Sequence, residues 1–331
     1  MDIRHHMRKI LPLRASTFQA YRHHEAKQFD ELNSKIDHLE QLLNGILEQQ
    51  EKLVSQGDKQ FADTTSSIKS ASADLKHAVS ECRASLEAYI TNEAVLASTT
   101  RSIEKSTNEV LWAETFNSAI KGSSWIQDKP FYPGRWAVGY QFLYVLFRVL
   151  NEFKPENILE LGLGQSTSMT NAYAASHPVS NHTVIEHDSE WISFYQENEV
   201  LVPPTDILQL DIDLFDVQET YGCSHEVRKY VGFSEALASR KFDLLIVDAP
   251  FGYDMKELAR IDILDIVRND CLASSFVIMV DDYDRDGEKG MVKHLKAILD
   301  EMGIAYAEGA YAGNKTTYIM ASLDKAFLTS M

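Results

Sequence analysis

Residues 157–171 read NILELGLGQSTSMTN, and the predicted fold class rests on this segment. A short apolar run ends in Gly162 and Gly164, which we call the glycine loop, and a segment rich in Ser and Thr follows. An apolar strand, a tight turn and a helix opening on a hydroxyl residue predict a nucleotide-binding strand–loop–helix unit. The two glycines let the backbone turn sharply and approach a ligand closely.

The acid in front of the turn indicates which ligand fits. Glu160 would repel a pyrophosphate, but it suits a ligand with a cationic aminoacyl end, such as S-adenosyl-L-methionine. Glu186 ends the next apolar run, where a carboxylate can accept both hydroxyls of a ribose. The alternative is that both residues are ordinary solvated acids at strand ends.

Apolar runs and helical segments alternate along the rest of the chain. Further strands are predicted at 182–187, 206–211, 242–248 and 276–282, and helices at 136–155, 166–176, from Ser189, at 255–270 and at 287–302. The stretch IAYAEGAYAGNKTTYIMAS reads as two strands joined by a Gly/Asn turn. This order predicts an α/β fold with a doubly wound, Rossmann-like, seven-stranded sheet that binds its ligand at the carboxyl ends of the strands.

Acidic residues follow the fourth and fifth predicted strands, Asp248 in one case and Asp281 and Asp282 in the other. Both strands should lie close to the first, so we expect these acids near the glycine loop. Three carboxylates in one place repel one another unless a proton or a cation intervenes. Oxygen ligands favour Mg²⁺ or Mn²⁺. Capping of the next helix by Asp282 or Asp284, or an ion pair of Asp282 with Arg285, is the alternative.

The ELGLGQST loop, the VIEHD segment and the strand–helix order resemble the class I S-adenosylmethionine-dependent methyltransferases over about residues 125–325. More narrowly, VDAPFGY and DDYDRDGEK look like the signatures of the glucuronoxylan 4-O-methyltransferase type. The second signature has the form Asp-x-x-Arg-x-x-Glu, here Asp282, Arg285 and Glu288. The xylan-modifying enzymes have a His where Asp281 stands. The acids also resemble those of sugar and catechol O-methyltransferases that hold Mg²⁺.

This resemblance implies methyl transfer from S-adenosyl-L-methionine to a sugar hydroxyl of a polysaccharide or glycan precursor, assisted by a divalent cation. The implied cofactor residues are Glu160, Gly162, Gly164, Ser166, Thr167 and Glu186, with Asp211 on the adenine side. Asp248 and Asp282 are the implied catalytic residues, and Asp248, Asp281 and Asp282 the implied metal ligands. Candidates to line the acceptor groove are Tyr253, Arg260, Arg285 and Glu288. For Tyr253 and Arg260, packing and a surface ion pair are equal alternatives.

The N-terminal part of the chain follows a different pattern. Apolar residues spaced alternately by three and four occur at Leu32, Ile36, Leu39, Leu43, Ile46 and Leu53, which is typical of a coiled-coil seam. We therefore predict a helical coiled coil over 29–110 that forms a homo-oligomer, followed by a catalytic domain over 111–331. A weaker series over 61–89 is out of phase by one residue, so the supercoil should adjust or break near Gly57. Two helices folding back on each other, or on the C-terminal domain, are the alternative.

Charge and composition exclude several classes of protein. A net charge of −17 argues against a general nucleic-acid binder, and 44% hydrophobic residues are too many for a disordered chain. Three separate cysteines predict neither a disulfide framework nor a thiolate zinc site, which fits the cytoplasm. No apolar run is long enough to cross a bilayer. The basic segment 1–28 suits peripheral contact with an anionic membrane or an acidic partner, or else is a solvated terminus.

Three other functions compete with the methylation of a glycan. The first is a coiled-coil scaffold whose methyltransferase-like domain only binds ligand. The second is a small-molecule O-methyltransferase. The third is an NAD-dependent sugar-modifying enzyme, which Glu160 and the lack of a third glycine disfavour.

Overall fold

The computed structural model describes residues 59–133 and 137–330, together with Gln41, Asn44, Gly45 and Glu48. Segment 1–28 and the apolar seam residues between 32 and 53 lie outside the described residues, so the coiled coil, its oligomer and the membrane contact stay predictions. The chain divides between Ser98 and Thr99 into two units. Among the described helices, none combines the length and the apolar character that a membrane span requires.

Helix α1 spans Lys59–Ile120, and its sequence contains neither glycine nor proline to interrupt it. In the second unit, its residues Phe116 and Ile120 are buried against helix α2, Tyr140–Glu152. Helix α2 ends before Pro155, as predicted, because the residue before a proline disfavours helical backbone.

The second unit contains a seven-stranded sheet with a small hairpin beside it. The strands are β1 Asn157–Leu161, β2 Asn181–Glu186, β3 Thr205–Gln209, β4 Ile212–Phe215, β5 Val227–Tyr230, β6 Phe242–Val247, β7 Leu272–Val280, β8 Tyr306–Ala312 and β9 Thr316–Ser322. The sheet has the order β3-β2-β1-β6-β7-β9-β8, and β4 and β5 form the hairpin. Strand β9 is antiparallel to both of its neighbours, and the pairs from β3 to β7 are parallel. The predicted seven-stranded sheet is confirmed.

Helices pack on both faces of this sheet. The remaining ones are α3 Gln165–Ser176, α4 Ser189–Asn198, α5 Gln218–Tyr221, α6 Phe233–Ala236, α7 Asp262–Arg268, α8 Asp286–Glu301 and a 3₁₀ helix, Leu323–Thr329. Alternate residues of β7 enter different cores: Phe276 and Ile278 pack with α7 and α8, whereas Val277 and Met279 pack with α1 and α2. Since successive strand residues point to opposite faces, the sheet is doubly wound, as expected.

The structure differs from the sequence predictions at several local features. The helix predicted over 255–270 is confined to 262–268, because Arg260 has a left-handed φ of +54° that a helix cannot contain. Helix α3 opens on Gly164 rather than on a Ser or Thr cap. Strands β4 and β5 were not predicted, since four-residue strands with half-polar sequences carry little pattern.

Strand direction brings the site together. Strands β1, β2, β6 and β7 are parallel, so their carboxyl ends lie at one edge of the sheet. Strand β9 reverses direction and β8 reverses it again, which makes β8 parallel to the first group. The turn between β8 and β9, residues 313–315, therefore lies at the same edge as the glycine loop.

Candidate active site

The glycine loop is held in a conformation that requires glycine at its first position. Gly162 has a φ of +106°, and its N–H donates to the carbonyl oxygen of Ile185 at 2.9 Å. A Cβ at this position would lie 3.1 Å from the Cβ of Ala249. At Gly164, in contrast, a Cβ would meet no atom of the described structure within 4 Å. The loop thus packs against the end of β6 on one side and leaves open space on the other.

Glu186 joins the loops that follow β1 and β2. It is buried, and its carboxylate accepts the N–H groups of Leu163 at 3.1 Å, His187 at 2.7 Å and Asp188 at 3.0 Å. These contacts fix a carboxylate at the edge of the glycine loop, where the sequence places the ribose contact. Asp211 is exposed and follows β3 at the same edge of the sheet.

Glu160 has a different position from the one that its sequence context suggests. It is fully buried in β1, and its carboxylate accepts hydroxyl hydrogens from Thr167 at 2.5 Å and Thr170 at 2.7 Å. Thr167 also accepts the N–H of Gly164 at 3.1 Å, and Ser166 is buried beside it. Glu160 and Thr167 therefore anchor the start of α3 beneath the loop, and direct ligand contact by Glu160, Ser166 and Thr167 stays a prediction.

The three predicted acids converge, as their strand positions implied. Asp248, Asp281 and Asp282, which we call the acid cluster, each offer an oxygen within 4.8 Å of the others. The N–H of Asp248 donates to Leu161 at 3.0 Å and that of Asp281 to Val247 at 3.1 Å, so neighbouring strands hold both residues in register. The side chain of Asp248 is 23% exposed and that of Asp281 is 0% exposed. Asp248 is thus the more accessible of the two.

Two arginines lie against the acid cluster. Arg260 is 2% exposed, and its guanidinium lies 2.8 Å from Asp282, 3.3 Å from Asp248 and 3.5 Å from Glu288. Arg285 lies 2.9 Å from Asp282 and 3.7 Å from Glu288. The Asp-x-x-Arg-x-x-Glu signature is therefore an ion network. Arg260 and Glu288 were expected in an acceptor groove, but the structure buries both, since each balances a charge of the other.

Lys315 is the site residue that sequence reasoning missed. Its ammonium lies 2.9 Å from Asp281 and 3.3 Å from Asp282. Its backbone carbonyl accepts a hydrogen bond from the buried Gln141 at 3.1 Å, and the N–H of Asn314 donates to Glu109 at 3.0 Å. The sequence predicted the Gly/Asn turn that carries this lysine. The direction of β8 had to be known, however, before that turn could be placed beside the acids.

The charges of the cluster shift the pKa values of its members. Burial, and then the neighbouring Asp281, raise the pKa of Asp248 to about 7. Burial also raises the pKa of Asp281, against the opposing effect of Lys315. For Asp282 burial is opposed by Arg260, Lys315 and Arg285, which together bring its pKa below the ordinary value. Asp282 is therefore ionised at neutral pH.

Backbone geometry at the cluster is also unusual. Arg260 and Asp282 have φ values of +54° and +57°, a region that side-chain-bearing residues rarely adopt. The segment that carries Arg260 packs closely on α8, since a Cβ at Gly290 would overlap the carbonyl oxygen of Glu257. Such strain persists only where surrounding contacts hold it, and here the ion network supplies them.

The acid cluster has the oxygen donors that Mg²⁺ and Mn²⁺ prefer, and one of them, Oδ1 of Asp281, is buried and accepts no hydrogen bond from the described residues. The other donors face cations already. Lys315 binds Oδ2 of Asp281 and Oδ1 of Asp282, and Arg260 lies against Oδ2 of Asp282 and Oδ1 of Asp248. A divalent ion therefore does not fit among these carboxylates while Lys315 stays in place, in contrast to the metal site that the sequence predicts.

An exposed aromatic pair follows Asp248 in the chain. Phe251 and Tyr253 are 41% and 68% exposed, and their rings stack with centroids 5.7 Å apart. The guanidinium of Arg228 lies 3.9 Å from the centroid of the Phe251 ring and forms two hydrogen bonds with Asp254, at 2.8 and 2.9 Å. Tyr253 thus lies at the surface, where the acceptor prediction needs it, and Phe251 joins it.

No family model matches the chain, and no curated protein matches it. Among solved structures, the chain is similar to the SAH-bound methyltransferase PaMTH1 of Podospora anserina, at 13% identity over 70% of this chain and 95% of the other, with a TM-score of 0.35. A putative O-methyltransferase from Klebsiella pneumoniae matches at 15% identity over 65% and 98%, with a TM-score of 0.37. Spermidine synthase from Thermotoga maritima matches at 14% identity over 51% and 53%, with a TM-score of 0.32. Likenesses this distant carry no argument about activity.

Proposed function

We propose that this protein is an S-adenosyl-L-methionine-dependent O-methyltransferase that methylates a sugar hydroxyl of a polysaccharide or glycan precursor. One observation carries the proposal: the glycine loop, the carboxylate of Glu186 and the acid cluster meet at the carboxyl edge of one doubly wound sheet. Ligands of such sheets bind at this edge.

The residues at this edge fit the cofactor. The open side of Gly164 leaves room for a ligand to approach the backbone, and Glu186 offers carboxylate oxygens to ribose hydroxyls. Asp211 is exposed at the same edge of the sheet, on the side where we expect the adenine of the cofactor. The cofactor supplies an electrophilic methyl group when bound.

Asp248 is the general base in this proposal. An alcohol is a weak nucleophile at neutral pH, so a nearby group has to accept its proton as the new bond forms. Asp248 lies against the glycine loop, and its accessibility exceeds that of the buried Asp281. Asp282 is held by Arg260 and Arg285, and it positions these cations rather than contacting the acceptor.

The stacked pair Phe251 and Tyr253 supports a sugar acceptor. Aromatic faces suit the C–H surfaces of sugar rings, and both rings are exposed beside Asp248 in the chain. Arg285, about one-third exposed, suits a uronate carboxylate at the rim of the site.

The predicted coiled coil would link several catalytic domains. Several catalytic domains in one oligomer would raise the effective concentration of sites along a repeating polymer. We expect an Ile36→Asp plus Leu43→Asp variant to become monomeric in light scattering. An unchanged mass would contradict the seam.

Parallel calorimetry with S-adenosyl-L-methionine and NAD tests the cofactor. We expect only the former to bind, and Glu186→Gln to weaken that binding by about 10- to 100-fold, because hydrogen bonds to a charged group are lost. Glu190→Gln, an exposed acid in the first turn of α4, is the control and should bind as the wild type does. Absence of binding by the wild-type protein would end the proposal.

Transfer of a labelled methyl group tests the acceptor. We expect label in uronate-containing oligosaccharides and none in catechols. Label in catechols alone would indicate a small-molecule O-methyltransferase, and cofactor binding without transfer to any acceptor would indicate a ligand-binding scaffold.

A further inference from the structure

Lys315 lies where a metal ion would have to lie. The oxygens of the acid cluster come within 4.8 Å of one another, and the ammonium of Lys315 is 2.9 Å from Asp281 and 3.3 Å from Asp282. A hard cation bound by this cluster would use the same oxygens. The lysine and the metal ion therefore exclude each other, both by space and by repulsion between like charges.

The lysine is charged in this position. Its ammonium lies within ion-pair distance of the carboxylates of Asp281 and Asp282, and opposite charges this close favour the protonated form of a lysine. Its side chain is 17% exposed, so little water competes with these contacts.

The lysine is also held in this position by its backbone. The turn closes through a hydrogen bond from Gly313 to the carbonyl oxygen of Lys315 at 2.8 Å, and Gln141 donates to the same oxygen. Glu109 of α1 accepts from Asn314 at 3.0 Å and from the N–H of Tyr140 at 2.6 Å. Contacts from α1, α2 and the turn thus fix the point from which the side chain extends.

We propose that the ammonium of Lys315 is the built-in counter-ion of the acid cluster, that it takes the place of a divalent metal ion, and that the site works without one. The statement about activity rests on the proposed methyl transfer, whereas the statement about metal exclusion does not. Removing the lysine should convert the acid cluster into a site for a hard divalent cation.

Binding of Mn²⁺, followed by electron paramagnetic resonance, tests the exclusion directly. We expect no binding by the wild-type protein at millimolar Mn²⁺ and binding of one ion per chain by Lys315→Met, with affinity greater by at least about tenfold. Lys315→Arg keeps the positive charge and should exclude Mn²⁺ as the wild type does. Adding Asp281→Asn to Lys315→Met should abolish the new binding.

Circular dichroism establishes that each variant is folded, and the Lys315→Arg protein serves as the matched control for the substitution itself. Binding of one Mn²⁺ ion by the wild-type protein, lost in Asp281→Asn, would overturn the proposal. A folded Lys315→Met protein that binds no Mn²⁺ would also overturn it, because the lysine would then not be the reason for exclusion.

Methyl transfer with and without EDTA completes the test. We expect the wild-type rate to be unchanged by the chelator, and loss of that rate would overturn the metal-free mechanism. If the protein transfers no methyl group under any condition, the proposed function fails, while the Mn²⁺ measurements still decide whether Lys315 excludes a cation.

Discussion

Replacing Gly162 by alanine is expected to destabilise the second unit by about 2 to 4 kcal/mol. A φ of +106° is unfavourable for any residue with a Cβ, at about 1 to 3 kcal/mol. The new Cβ would also lie 3.1 Å from the Cβ of Ala249, so one of the two loops has to shift, at about 1 kcal/mol or more. For a unit of this size the loss corresponds to a fall in Tm of about 4 to 16 °C.

Gly164→Ala is the matched control, since it makes the same chemical change two residues away. Gly164 has an extended φ of −177°, and its Cβ would meet no described atom within 4 Å. We expect a stability change within about 0.5 kcal/mol. In the proposed function the same open space receives the cofactor, so this variant should lose at least about tenfold in affinity for S-adenosyl-L-methionine.

Thermal unfolding monitored by circular dichroism measures the effect of each variant on stability. Calorimetry with the cofactor measures its effect on binding. The expected pattern is loss of stability in Gly162→Ala and loss of binding without loss of stability in Gly164→Ala. An unchanged Tm for Gly162→Ala would refute the assigned backbone conformation. Wild-type affinity in Gly164→Ala would refute the placement of the cofactor on the open side of the loop.

Three further predictions concern the acids and the aromatic pair. Asp248→Asn should reduce kcat by about 10²- to 10⁴-fold and leave the calorimetric Kd of the cofactor unchanged, because the amide keeps the shape of the side chain but cannot accept the proton; retained kcat would exclude that role. Burial raises the pKa of Asp262 from 3.8 to about 7, so the folded protein binds this proton more tightly than the unfolded chain does. The resulting contribution to the free energy of unfolding is complete below pH 3.8 and is lost as the pH rises through about 7. Asp262→Asn, which can still accept the N–H of Tyr230, should flatten the pH dependence of urea unfolding by up to about 4 kcal/mol between pH ~4 and pH ~8, and an unchanged slope would contradict the raised pKa. Phe251→Ala should raise the KM of a sugar acceptor about 2- to 10-fold in steady-state kinetics, whereas Phe327→Ala, at a similarly exposed position on the 3₁₀ helix, should not; equal effects would contradict the stacking role.

The sequence predicted the sheet because its strands are short apolar runs separated by helices with clear boundaries. The ends of β1, β2, β6 and β7 were close to their observed positions, and this was sufficient to bring Glu186, Asp248, Asp281 and Asp282 to one edge. Helix α7 was predicted too long because hydrophobic periodicity does not report a single left-handed residue such as Arg260.

Burial and side-chain pairing were harder to predict. Glu160 reads as a strand-end acid, but two hydroxyls of α3 cover it, and such contacts depend on how the helix packs on the sheet. Arg260 and Glu288 read as surface groups because charged residues are rarely buried unless they are paired. Their partners come from segments distant in the chain, so pairing emerges only with the three-dimensional arrangement.

The charge balance of the site follows from these same contacts. Four carboxylates, those of Asp248, Asp281, Asp282 and Glu288, face three cations, Arg260, Arg285 and Lys315. Buried charges in this number are tolerated only when nearly balanced, since an unpaired ion away from water is strongly unfavourable. The remaining negative charge is offset by a proton, which the raised pKa of Asp248 makes available near neutral pH. The acidity that suggests a metal site in the sequence is thus neutralised by the protein itself when Asp248 holds this proton, and loss of the proton leaves a negative charge at Asp248, beside the glycine loop.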